Sequence, residues 1–83
     1  MSYTVQWTKT SLKQLEKLDN KIAKRIVDKV DEITEDPFRF VKKLQGFDLY
    51  RLRVGDYRII TSIENNKMII SVLQVGHRSV IYK

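Results

Sequence analysis

The chain has 83 residues, with sixteen Lys and Arg against ten Asp and Glu, one His and no Cys. That length holds one domain and one thin core, burying ~60–65% of the surface exposed by the unfolded chain. The lack of Cys excludes a disulfide framework, a thiolate zinc site and a cysteine nucleophile, and one His without an acidic cluster argues against a catalytic metal.

A composition of 42% apolar and 31% charged residues is that of a folded domain rather than a disordered segment. No apolar run approaches the roughly 20 residues of a membrane span, and the N-terminus lacks a signal-peptide pattern. A soluble, cytoplasmic, single-domain protein spanning residues 1–83 is expected.

Residues 3–7 (Tyr-Thr-Val-Gln-Trp) alternate with period two and predict a strand. Thr8 is placed to cap a helix in which Leu12, Leu15 and Leu18 recur at helical spacing. Asp19-Asn20 breaks that helix and caps the next, whose stripe of Ile22, Ile26, Val30 and Ile33, with Ala23 and Val27, runs to Asp36-Pro37. The pair reads as a helical hairpin. Its second helix carries Lys21, Lys24, Arg25 and Lys29 first and Asp31, Glu32, Glu35 and Asp36 last, the reverse of what the helix dipole favours. Either this is a solvated face held by pairs such as Lys24–Asp28, or its basic turns extend a polyanion-binding surface.

Residues 38–47 read as a loop ending at Gly46, with a short extended piece at Phe38–Val41. A three-stranded meander follows: Leu49–Val54, a two-residue loop at Gly55-Asp56, Tyr57–Ile63, a tight turn at Asn65-Asn66, and Met68–Val75. Gly76 interrupts the last strand, and Val80–Tyr82 adds an extended tail. The fold class is α+β in the order βααβββ, with the helices on one face of the sheet.

The charge is unevenly distributed. Residues 1–40 hold eight basic and seven acidic side chains, and residues 41–83 hold eight and three, so the second half carries a net +5. A two-residue loop at Gly55-Asp56 opposes Val54 to Tyr57, Arg53 to Arg58, Leu52 to Ile59 and Arg51 to Ile60. One face then carries Tyr50, Leu52, Val54, Tyr57, Ile59 and Ile63, joined by Met68, Ile70 and Val72. The other carries Arg51, Arg53, Arg58, Ser62, Ser71 and His77, with Leu49, Ile60, Ile69, Leu73 and Val75 between them. Arg53 and Arg58 repel across the strands, and an anion seated on the cluster is the best explanation for keeping them together. Arg78 falls on the opposite parity unless a bulge at Gly76 re-aims it.

Three segments carry a family resemblance: Leu44-Gln45-Gly46, Leu49-Tyr50-Arg51-Leu52-Arg53-Val54-Gly55-Asp56-Tyr57-Arg58-Ile59-Ile60, and Val75-Gly76-His77-Arg78. With the element order, they resemble the RelE/ParE toxin superfamily over essentially the whole chain. For a RelE-type member the resemblance implies a ribosome-dependent endoribonuclease that cuts mRNA in the A site and is held inactive by a cognate antitoxin. For a ParE-type member it implies a DNA gyrase poison, and a non-catalytic RNA-binding module is a third reading.

By position, the resemblance makes Arg51, Arg53, Arg58 and Arg78 site residues and Tyr82 a base-stacking residue, without metal or cofactor. The first-strand positions are often Lys in RelE, and Arg, which stays protonated at neutral pH, is a poor proton acceptor. That leaves His77 as the candidate for proton transfer.

Overall fold

The structure is a computed structural model and describes residues 2–81. Its elements in chain order are β1 (Thr4–Trp7), α1 (Lys9–Glu16), α2 (Asn20–Glu32), β2 (Lys42–Lys43), β3 (Tyr50–Val54), β4 (Tyr57–Glu64), β5 (Ile69–His77) and α3 (Arg78–Ile81). The five strands form one sheet in the order β1-β5-β4-β3-β2. β1 lies parallel to β5, and every other neighbouring pair is antiparallel. The expected strand, helical hairpin and meander are all present. No helix among the described residues is long and apolar enough to cross a membrane.

Both helix starts follow from short polar side chains that satisfy otherwise orphaned backbone donors. Thr8 sits in extended conformation, and its Oγ1 accepts from the Ser11 N–H at 3.1 Å. Asp19 accepts from the Lys21 N–H at 2.8 Å. α2 passes into a 3₁₀ turn at Ile33–Glu35, and a second such turn begins at Pro37. Its charged flank is tied internally, with Lys24 2.9 Å from Asp28 and Lys29 paired with Glu32. The hydrogen bond from Lys24 to Asp28 raises the lysine pKa above its ordinary value.

The core lies between α2 and the sheet. Ile26, Val30 and Ile33 meet Leu52, Ile59, Ile70, Val72 and Val75, all at 2% exposure or less. Leu15, Leu18 and Ile22 pack at its margin, whereas Leu12, although in phase with Leu15 and Leu18, is 45% exposed.

Four expectations need correction. The extended piece before Gly46 is Lys42–Lys43, not Phe38–Val41, because Pro37–Arg39 closes a 3₁₀ turn instead. The turn after β4 takes four residues, Asn65–Met68, and Met68 rather than either asparagine has positive φ. The start of the chain holds this wider turn: the Tyr3 hydroxyl donates to the Asn65 side chain, and the Thr4 N–H at the head of β1 donates to the Met68 carbonyl. This two-residue slip leaves Ile70 and Val72 on the expected face, since only an odd shift exchanges faces. Finally, β5 runs through Gly76 to His77, and Val80 and Ile81 of the expected extended tail belong to α3, while Tyr82 lies outside the described residues.

The largest departure is a bulge within β5. Ile60 pairs with Gln74 but Thr61 pairs with Val72, so Leu73 has no counterpart on β4. One extra residue inverts the parity of everything after it. Val75, expected on the outer face, therefore points into the core at 2% exposure.

On the other side of β5, β1 ends at Trp7, opposite Val72. Beyond it Thr8 and α1 supply the partners. The Thr8 N–H donates to the Val72 carbonyl, the Thr8 hydroxyl donates to the Leu73 carbonyl, and the Gln14 carboxamide oxygen accepts from the Val75 N–H at 2.7 Å. Side chains thus continue the strand edge where the β1 backbone stops.

Gln14→Ala is expected to leave the Val75 donor unpaired and cost about 1–3 kcal/mol in urea unfolding, while Gln14→Glu, which keeps an acceptor, costs less. The bulge is tested by comparing Val75→Asn with Leu73→Asn. The first should destabilise by at least ~2 kcal/mol and the second by under ~1 kcal/mol, and equal losses would contradict the inverted parity.

Candidate nucleic-acid interface

The face of the sheet away from α2 is organised by the β3–β4 hairpin. Gly55 and Asp56 form its two-residue turn, and Gly55 adopts φ +58°, the glycine-first pattern of a type II′ turn. This turn fixes the pairing that was read from the sequence: Arg53 opposite Arg58, Arg51 opposite Ile60, Leu52 opposite Ile59 and Val54 opposite Tyr57. Directly paired residues share a face, and alternate residues along a strand do so too. Arg51, Arg53 and Arg58 are therefore on one face, with Arg53 exposed and the other two half-buried.

β5 completes this surface. Gly76 lies opposite Arg58, Gln74 opposite Ile60 and Ser71 opposite Ser62. Having no side chain, Gly76 leaves Arg58 without a bulky cross-strand neighbour on that side. Ile60 is only 6% exposed among these polar residues. Arginine stems can cover apolar surface of this kind while their guanidinium groups stay in water.

His77 is not on this face. The Leu73 bulge turns it toward Tyr57, its direct partner on β4, and the two rings meet edge-on with centroids 5.5 Å apart. The His77 Nδ1 accepts from the Ser79 N–H at 3.2 Å and lies 2.9 Å from the Ser79 hydroxyl. Its ring therefore braces the junction between β5 and α3. The expectation that it shares a face with the arginines assumed unbroken alternation along β5.

Arg78 opens α3, and its N–H donates to the Asp56 carbonyl at 2.9 Å. This bond fastens the end of β5 to the hairpin turn between Val54 and Tyr57. The Arg78 backbone is thus held at the hairpin end of the sheet, and the bulge that changes parity ahead of it lies at Leu73 rather than at Gly76. Tyr82 lies outside the described residues.

The basic stretch of α2 is partly neutralised within the helix. Lys24 and Lys29 engage acidic neighbours on their own helix. A groove of about 420 Å3 between α2 and the hairpin is lined by Asp28 and Glu32 as well as Arg25, Lys29 and Arg53. A smaller adjoining pocket of about 230 Å3 runs between Ile22, Arg25 and the turn. Among the described residues, no three His, Cys, Asp or Glu side chains come together in a way that could hold a metal ion.

One cation was missed in the sequence. Lys42 on β2 pairs directly with Arg51 and so shares its face, while Lys43 pairs with Tyr50 and takes the other. The signal was present. Leu44-Gln45-Gly46 is a turn leading into a strand, so the residues before it could fold back on that strand; the Leu44 N–H donates to the Leu49 carbonyl at 2.9 Å, and Gly46 has φ +82°.

Comparison with known proteins agrees with this architecture. Residues 5–82 match the family model described as the ParE toxin of the type II toxin–antitoxin system parDE. Toxin RelG of Mycobacterium tuberculosis is 30% identical over 86 residues, covering 100% of this chain and 99% of the relative. The mRNA interferase toxin RelE of Escherichia coli is 30% identical over 81 residues, covering 94% and 85%.

Among solved structures, the M. tuberculosis toxin–antitoxin complex RelBE2 contains a chain matching with a TM-score of 0.88 at 28% identity, covering 94% of this chain and 100% of that one. The archaeal RelE–RelB complex from Pyrococcus horikoshii matches with a TM-score of 0.82 at 33% identity, covering 96% and 99%. The shared sheet, the full-length match and the family model lead to one conclusion: this chain belongs to the RelE/ParE superfamily of toxins of type II toxin–antitoxin systems.

Proposed function

We propose that this protein is a ribosome-dependent endoribonuclease that cuts mRNA in the A site, acts in the cytoplasm without a metal, and is restrained by a cognate antitoxin. The observation that carries the reading is the opposed pair Arg53 and Arg58, with Arg51 beside them, on the sheet face away from the core. Like charges placed directly opposite across strands cost stability, and a phosphate bound by both offsets that cost. The mRNA interferase toxin RelE supports the choice of RNA. The RelBE2 and archaeal RelE–RelB complexes support an antitoxin partner.

Cleavage by this route forms a bond from the ribose 2′-oxygen to phosphorus and breaks the bond from phosphorus to the 5′-oxygen. The 2′-hydroxyl loses a proton, and the departing 5′-oxygen gains one. Negative charge builds on the non-bridging oxygens as phosphorus becomes five-coordinate, and Arg51, Arg53 and Arg58 are assigned to that charge. Arg78 is assigned to stabilising negative charge on the leaving oxygen, which takes its proton from water, and Tyr82 to stacking on a base.

Arginine is too weak an acid to serve as the proton acceptor at neutral pH. With the His77 ring against Tyr57, the 2′-proton is assigned to solvent or the ribosome. His77 keeps a structural role at the β5–α3 junction.

On ribosomes programmed with a defined mRNA, Arg58→Ala and Arg53→Ala should each lower the single-turnover cleavage rate by about 10²-fold. Rates within tenfold of wild type for both would overturn the assignment. His77→Ala should lower thermal stability yet leave the single-turnover cleavage rate unchanged, whereas a loss as large as that of Arg58→Ala would restore His77 as the proton acceptor.

The family model takes its name from ParE, which gives weight to a second reading as a gyrase poison. Loss of DNA supercoiling by gyrase in the presence of the wild-type protein, without any mRNA cleavage, would establish that reading instead.

A further inference from the structure

The arginine face extends past β3 to the edge of the sheet. Lys42 is directly opposite Arg51, as Arg53 is directly opposite Arg58. Two like-charged cross-strand pairs therefore stand side by side on one surface. Paired Cα atoms are ~5 Å apart, and alternate residues on a strand ~6.8 Å apart. The cations consequently descend as a staircase from Arg58 on β4, through Arg53 and Arg51 on β3, to Lys42 on β2. Each step is comparable to the reach of a single phosphate contact.

An edge-strand lysine has an ordinary explanation, since charge on an edge blocks pairing with another chain. Lys43 is the internal comparison. It is adjacent in sequence, on the same two-residue strand and equally exposed, yet it pairs with Tyr50 and projects to the opposite face. Edge protection would draw on both lysines alike, whereas a phosphate track along the arginine face would draw on Lys42 alone.

We propose that Lys42 is a substrate-binding residue that contacts a backbone phosphate of the RNA strand lying across Arg51, Arg53 and Arg58, extending the site to the β2 edge. The proposal rests on the reading that the arginine face takes RNA. It adds a contact that positions the strand and leaves the chemistry of the cleaved linkage to the arginines. A contact of this kind is independent of base identity, so it sets the register of the strand rather than its sequence.

The test is the salt dependence of binding to a single-stranded RNA oligonucleotide with 2′-O-methyl riboses throughout, which lacks the attacking hydroxyl. For single strands, each phosphate neutralised contributes about 0.7 to the slope of log K against log salt. Lys42→Gln should make the slope shallower by about 0.7, Lys42→Arg should restore it, and Lys43→Gln should superimpose on wild type. A slope unchanged in Lys42→Gln, or equal changes in Lys42→Gln and Lys43→Gln, would overturn the proposal in favour of diffuse edge charge.

The two readings fail separately. A wild-type protein with no salt-dependent affinity for the oligonucleotide removes the RNA-binding premise and the Lys42 contact with it. A wild-type slope of several phosphates, with Lys42→Gln unchanged, removes only the Lys42 contact. Absence of mRNA cleavage on ribosomes, with the Lys42-specific slope change intact, removes the nuclease and keeps the RNA track.

Discussion

Side-chain alternation on β5 controls the rest of the molecule, because this strand is paired on both sides and one of its faces is roofed by helices. Ile70, Val72 and Val75 must all enter the core, although they are spaced two and then three residues apart. A regular strand cannot satisfy that spacing, and the extra residue at Leu73 does. The bulge in turn breaks the hydrogen-bond ladder just where β1 ends. Thr8 and Gln14 of the following segment fill the gap, so the cap of α1 and the edge of the sheet are parts of one arrangement.

The same bulge separates the two kinds of residue at the far end of the sheet. Before it, Ser71 faces the side of the arginines; after it, Gln74 and Gly76 take that side and His77 turns inward to Tyr57. The arginine face thus receives a strand end without a side chain, while an aromatic contact secures the other face. The hydrogen bond from Arg78 to Asp56 then closes this end of the sheet. Rigidity there depends on backbone pairing and ring packing.

Most of the fold could be read from short-range signals. Thr8 and Asp19 announced the helix starts, Pro37 limited the end of the helical region, and Gly55-Asp56 fixed the hairpin register on which the arginine cluster depends. The features that were not read are those set by partners distant in sequence. The four-residue turn at Asn65–Met68 is held by the start of the chain, more than sixty residues earlier. The β2 strand is only two residues long and has no pattern of its own.

The bulge did leave a trace, since Ser71 and Gln74 are three apart within an otherwise alternating run. A strict period-two reading discards that phase change, and it moved Val75 and His77 to the wrong face. The placement of Lys42 was lost for a related reason: with β2 unassigned, nothing connected it to Arg51.

The length of β5 also governs how the protein can be attached to anything else. Thr4 sits beside Ile69 at one end of the strand, and α3 departs after His77 at the other. With a rise of ~3.3 Å per residue, these points lie about 26 Å apart. A dye, affinity handle or surface tether placed ahead of β1 is held a full strand length from the arginine end. The same group placed after α3 is delivered to it.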